Sequence, residues 1–216
     1  MSVKAVATIA LVVIFAGLAL AEETINLPTP QSTGRTSVEE SLYRRRSVRT
    51  YAKTELSAEQ LSQLLWAAQG VTDRELDFRT APSAGAIYPL TIYVAKKNGV
   101  FIYAPKQHQL IEHLKEDIRP SLMRASLGQD SVREAPVCLI ITARSFLTTE
   151  KYGARAFRYI CLETGHVAEN IHLQAITLGL SSIPIGSFWD DVVAKTLDLP
   201  ADEYPIYIIP VGYQGQ

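Results

Sequence analysis

The chain has 216 residues, 47% hydrophobic and 20% charged, with a formal net charge of −1. That is enough for one domain with a full core and too little for a second large one, and the charge balance gives no basis for binding nucleic acid. Cys138 and Cys161 sit in apolar runs ("APVCLIIT", "RYICLE"). They match no metal-ligand spacing, nor does any His/Asp/Glu set, so both read as buried free thiols, with a disulfide the alternative, and no metal is expected.

Taken in order, residues 1–21 carry one positive charge at Lys4, an apolar run from Ala5, and Ala19-Leu20-Ala21 ahead of Glu22-Glu23. This is the layout of a signal peptide cleaved after Ala21. It implies export to a periplasm or the exterior, with no stable membrane span after cleavage; an uncleaved anchor is the alternative. Residues 22–36, rich in Pro, Ser, Thr and Gly, read as a linker, and residues 37–216 as the folded domain. Ser37 with Glu40 starts a short helix through Leu42 and Tyr43. Ser57 and Gln60 form a capping box for a second helix, lined by Leu61, Leu64, Leu65 and Ala68 and ended by Gly70. "LTIYVAKKNGVFIYAP" predicts a hairpin turning at Asn98-Gly99. "HQLIEHLKED" predicts a short helix, "VCLIITA" a buried strand, and Tyr152 to Leu180 one long helix dense in small residues. Trp189 to Leu197 reads as a helix and Ile206 to Val211 as the last strand. The order lacks a strict βαβ alternation, so the expected class is α+β.

Four stretches stand out chemically. "YRRRSVRTY" gathers Arg44, Arg45, Arg46 and Arg49 around Ser47. It is either a solvated basic helix end or a clamp whose guanidinium forks and hydroxyl match a phosphate. "PSAGAIYP" (Pro82 to Pro89) sets Ser83, Ala84, Gly85 and Ala86 between prolines and then Tyr88. It is either a tight turn or a wall that lets something flat approach the backbone. "KYGARAFRY" puts Lys151 beside Tyr152, and "IPIGSF" offers a second bare backbone at Ile185, Gly186 and Ser187. His166 and His172 read as satisfied core or interface histidines.

In this order the four stretches resemble the FMN-dependent nitroreductase superfamily, most of all its azoline-oxidising branch, the SagB/ThcOx-type dehydrogenases. The resemblance spans about Ser37 to Tyr213. It implies a nitroreductase-like three-layer α+β fold, a mixed central sheet with flanking helices, and an intertwined homodimer with flavin at the interface. It implies FMN as cofactor: Arg45, Arg46, Ser47 and Arg49 on the phosphate, with Arg79 a further candidate, and Pro82, Ser83, Ala84, Gly85 and Ala86 along the ring and ribityl. Ile185, Gly186 and Ser187 would stand near flavin N5 and Tyr88 at the substrate pocket. Lys151 and Tyr152 would be the catalytic pair that removes a proton while flavin N5 takes a hydride from a small-molecule or ring-containing substrate. NAD(P)H-driven reduction of nitro compounds or quinones, and flavin binding without turnover, are the alternatives.

Overall fold

A computed structural model of the protein describes residues 23–215; the expected signal segment lies outside them. The elements run β1 (Thr24–Asn26), α1 (Val38–Arg44), α2 (Ala58–Gln69), β2 (Val71–Asp73), β3 (Phe78–Arg79), β4 (Leu90–Lys96), β5 (Gly99–Ala104), β6 (Gln109–Leu114), α3 (Arg119–Ala125) and α4 (Asp130–Glu134). They continue with β7 (Val137–Arg144), α5 (Phe146–Tyr152), α6 (Ala156–Thr177), β8 (Ser181–Ser182), α7 (Asp190–Thr196) and β9 (Glu203–Gly212).

Seven strands form one sheet in the order β1-β6-β5-β4-β7-β9-β8. Its central strands are buried on both faces, so each reads as a continuous apolar run whose alternate residues serve different layers. In β7, Val137, Leu139 and Ile141 join Ile92 and Val94 of β4 beneath α2 and α6. Cys138 and Ile140 point the other way with Tyr93, towards Leu122 of α3, Val132 of α4 and Val193 of α7. The result is helices, sheet, helices: the three-layer α+β arrangement expected. The sheet is not the mixed one expected: each of its ladders is antiparallel. Parallel pairing is confined to the isolated bridge between Ser47 and Ser182.

Four further expectations change. Part of the presumed linker is built into the sheet, since Thr24–Asn26 pair with β6. The "HQLIEHLKED" segment is strand β6, not a helix. Leu110 and Leu114, four apart, resemble one helix face, but they pack into opposite cores. A register shift between Val100 and Phe101 of β5 accompanies this reversal. The long helix is broken at Gly153 (φ 54°, ψ −131°), a backbone state closed to residues with a Cβ, leaving α5, a short 3-10 turn and α6. Cys161 is only partly buried, whereas Cys138 is fully so. The two capping serines hold as expected: Ser57 and Gln60 bond reciprocally, and Ser37 Oγ accepts from Glu40 N–H. Among the described residues no helix is long and apolar enough to cross a membrane.

Candidate functional site

Helix α6 organises the chemistry because two polar side chains flank its buried stripe. Glu163 and His172 are each 3% exposed. Nine residues at ~100° each bring them half a turn apart after two full turns, and roughly 13 Å apart along the axis. Each anchors one of the motif clusters, on opposite flanks of the helix.

On the His172 flank stands the arginine cluster. Arg45, the cap residue that ends α1, bonds its backbone N–H to Ser41 O. Its Nη1 reaches His172 Nε2 at 3.3 Å, and His172 Nδ1 lies 2.6 Å from Ser182 Oγ. Ser182 in turn bridges to Ser47 and accepts from Val48 N–H. Burial, aided by the nearby Arg45 charge, pushes His172 down to about 4, so the imidazole is neutral at physiological pH. The other arginines differ. Arg44 pairs with Glu40 at 2.8 Å, and Arg46 folds back on the carbonyls of Tyr43 and Arg45. Ser47 and Arg49 are exposed. The second bare segment runs along β9: Ile185 is buried and exchanges both backbone hydrogen bonds with Ile208. Gly186 and Ser187 remain exposed. A Cβ on Gly186 would stand 3.2 Å from the Tyr207 ring.

On the Glu163 flank stands the "PSAGAIYP" segment. Three of its residues have positive φ: Gly85 (63°), Ala86 (53°) and Tyr88 (52°). For the two with side chains that geometry costs roughly 1–3 kcal/mol each. Hydrogen bonds hold it in place. Ser83 Oγ accepts from Tyr88 N–H at 2.9 Å and donates to Glu163 Oε2 at 2.5 Å. Gln69 Nε2 donates to Glu163 Oε1 at 3.4 Å, and Arg79 Nη1 donates to Gln69 Oε1 at 3.0 Å. Arg79 also stacks 4.4 Å from the Tyr88 ring centroid, and its backbone N–H donates to Tyr88 Oη. Burial pushes Glu163 up to about 7, opposed by the bonds from Ser83 and Gln69 and by the Arg79 charge. Arg79 therefore belongs to this wall and not to the arginine cluster. Tyr88, expected at a substrate pocket, has its ring covered by Arg79 and lines a cavity of about 230 Å³ with Gln69 and Tyr103.

Lys151 and Tyr152 meet the same wall. A methyl group built on Gly85 would lie 2.4 Å from Lys151 Nζ and 2.7 Å from Tyr152 Oη. Tyr152 is braced edge-on by Tyr159, with ring centroids 4.8 Å apart. Pro82, Gly85 and Ala86 are exposed, and Ser83 and Ala84 half-buried. The structure thus unites the Lys-Tyr pair with the wall and places the arginine cluster on the other flank of α6, while "IPIGSF" runs along β9. Glu163 and Gln69 escaped the sequence reading. The available signal was a lone carboxylate on the apolar stripe, three residues after Ile160 and four before Val167.

The nitroreductase family profile matches residues 42–213, most of the chain. The chain belongs to the nitroreductase family. A Methanocaldococcus jannaschii protein named as a nitroreductase is 43% identical over 181 residues, covering 81% of this chain and 90% of that protein. The Escherichia coli microcin B17-processing protein McbC is 29% identical over 163 residues, covering 68% of this chain and 58% of that protein. Among solved structures, a Ralstonia eutropha nitroreductase-family protein superposes with TM-score 0.83 at 30% identity, over 89% of this chain and 90% of that one. This family member is an oxidoreductase. Among its described residues, no group of three or more His, Cys, Asp or Glu side chains is placed to hold a metal.

Proposed function

We propose that the protein is an exported FMN-dependent dehydrogenase of the azoline-oxidising type, working as a homodimer on a small ring-containing substrate. The observation that carries this reading is the contact of Lys151 and Tyr152 with Gly85 of the bare wall. Residues distant in sequence converge where a flat ring can lie. The likeness to McbC, named for processing microcin B17, supports the same branch.

The residues fit the cofactor. Arg45, Ser47 and Arg49 form a donor set for a phosphate dianion, and Gly85 and Ala86 leave an exposed backbone for the ring. When bound, FMN supplies a two-electron acceptor for hydride. Lys151, in its amine form, would take the accompanying proton from the neighbouring ring atom, with the Tyr152 hydroxyl beside it. Ile185, Gly186 and Ser187 would border the ring. The division across α6 supports a homodimer. A ligand gripped by Arg45 on one flank leaves its own chain's wall on the other, and a second chain brings a wall to the clamp. Exposed Val38, Leu42, Tyr43 (80%), Phe157 and Leu162 on α1 and α6 supply apolar surface for that contact.

NAD(P)H-dependent nitro or quinone reduction is the second reading. It is favoured by the exposure of Lys151 and by the name of the 43%-identical relative. Absorption spectra of the purified protein test flavin binding, and turnover with an azoline against a nitroaromatic separates the readings. A colourless protein that takes up no added FMN contradicts both. Export rests on residues 1–21. An intact mass beginning at Glu22 in the exported fraction supports it, and full-length protein in membranes contradicts it.

A further inference from the structure

Of four clustered arginines, only Arg45 has its guanidinium bonded to a buried side chain. Arginine is always a donor, so His172 Nε2 must be the acceptor of the 3.3 Å bond. The ring proton therefore sits on Nδ1 and is donated to Ser182 Oγ at 2.6 Å. Ser182 is fixed in β8 by its pairing with β9, and its carbonyl receives Val48 N–H beside Ser47. One imidazole thus ties α6 to β8 and to the end of α1, where Arg45 and Ser47 stand.

We infer that His172 is a positioning residue for the anion clamp: as the Nδ1–H tautomer it aims Arg45 and so raises affinity for a phosphate that it does not itself touch. This rests on the FMN reading above. A free arginine side chain gives up rotamer freedom when it binds an anion, and aiming it beforehand removes that loss from the binding step. The neutral state matters as well. An imidazolium would offer Arg45 no lone pair and would repel it; burial and the Arg45 charge hold His172 well below its ordinary value. The effect is confined to the phosphate end, because the wall that faces the ring lies on the opposite flank of α6.

The test compares FMN with riboflavin, which lacks the phosphate, by calorimetric titration of the full chain stripped of flavin. His172→Phe is expected to weaken FMN about tenfold, the equivalent of one lost contact of about 1.4 kcal/mol, and to leave riboflavin unchanged. His172→Gln, whose amide oxygen can still accept from Arg45, is expected to recover most of the loss and keeps the test open if the phenylalanine variant does not fold. Unchanged FMN affinity, or parallel losses of FMN and riboflavin, overturns the inference and marks His172 as packing only. Nitrogen-15 spectra of labelled histidine in the wild-type protein give an independent readout; a proton found on Nε2 also overturns it. If Arg45→Ala binds FMN as tightly as wild type, the clamp itself falls, a failure separable from that of His172 alone.

Discussion

The two flanks of α6 solve one problem, a polar side chain in an apolar stripe, with opposite chemistry. On one flank His172 is kept neutral beside a cation. On the other, Glu163 is a carboxyl whose proton is held more tightly than in water, within a relay of Ser83, Gln69 and Arg79. The first group holds the Arg45 guanidinium, and the second fixes a strained backbone. Burial drives both shifts, towards the neutral form each time, so their contributions to stability have opposite dependence on pH.

The largest expected effect separates the flanks outright. Arg45→Ala with Arg49→Ala should weaken FMN by about two to four orders of magnitude, since two charge-assisted contacts contribute roughly 1.5–3 kcal/mol each. The protein should purify folded but colourless, and calorimetry with added FMN measures the loss. On the wall side, Lys151→Ala should leave FMN affinity intact and slow azoline oxidation by about 10²–10⁴, as for a lost base. Nitroaromatic reduction, which needs no proton taken from the substrate, should change much less. Equal loss of both activities together with flavin would make the pair structural.

Glu163→Gln sharpens the comparison through pH. With its folded value near 7 and an ordinary value of 4.5, the native carboxyl binds more proton than the unfolded one between those limits. Wild-type stability relative to Glu163→Gln should therefore fall as pH rises from about 4.5 to about 7, by on the order of 3 kcal/mol, and level off above. His172 runs the other way. Its folded value near 4 lies below the ordinary 6.5, so wild-type stability relative to His172→Gln should fall as pH drops from about 6.5 to about 4. Denaturant titrations at stepped pH check both slopes. The smallest effect is Gly85→Ala. A Cβ at φ 63° pressing on Lys151 Nζ and Tyr152 Oη should cost roughly 1 kcal/mol. It should also slow azoline oxidation more than it weakens FMN binding.

The motifs were legible where local chemistry punctuates the chain. Pro82 and Pro89 with Gly85 mark the wall, and Ser57 with Gln60 marks the start of α2. What escaped depends on contacts between distant residues. Glu163 looks like an ordinary helical glutamate until Ser83 and Gln69 are folded against it. Leu110 and Leu114 read as a helix face because only pairing with β5 and β1 makes them a strand. The hairpin β2–β3 and helices α3 and α4 are too short to carry a clear apolar period. The four arginines look equivalent in sequence; only the buried His172 distinguishes Arg45 from Arg46, which turns back on its own helix.

The central claim is that clamp and wall from different chains complete one flavin site. The direct measurement is flavin content of mixed dimers carrying two different tags. One chain bears Arg45→Ala with Arg49→Ala and the other Gly85→Phe, each expected to be flavin-free on its own. If sites form between chains, one site of the mixed dimer combines the intact clamp of the second chain with the intact wall of the first, and doubly tagged protein holds one FMN per dimer. If each chain builds its own site, every site carries a defect and the mixed dimer is colourless, which would contradict the account.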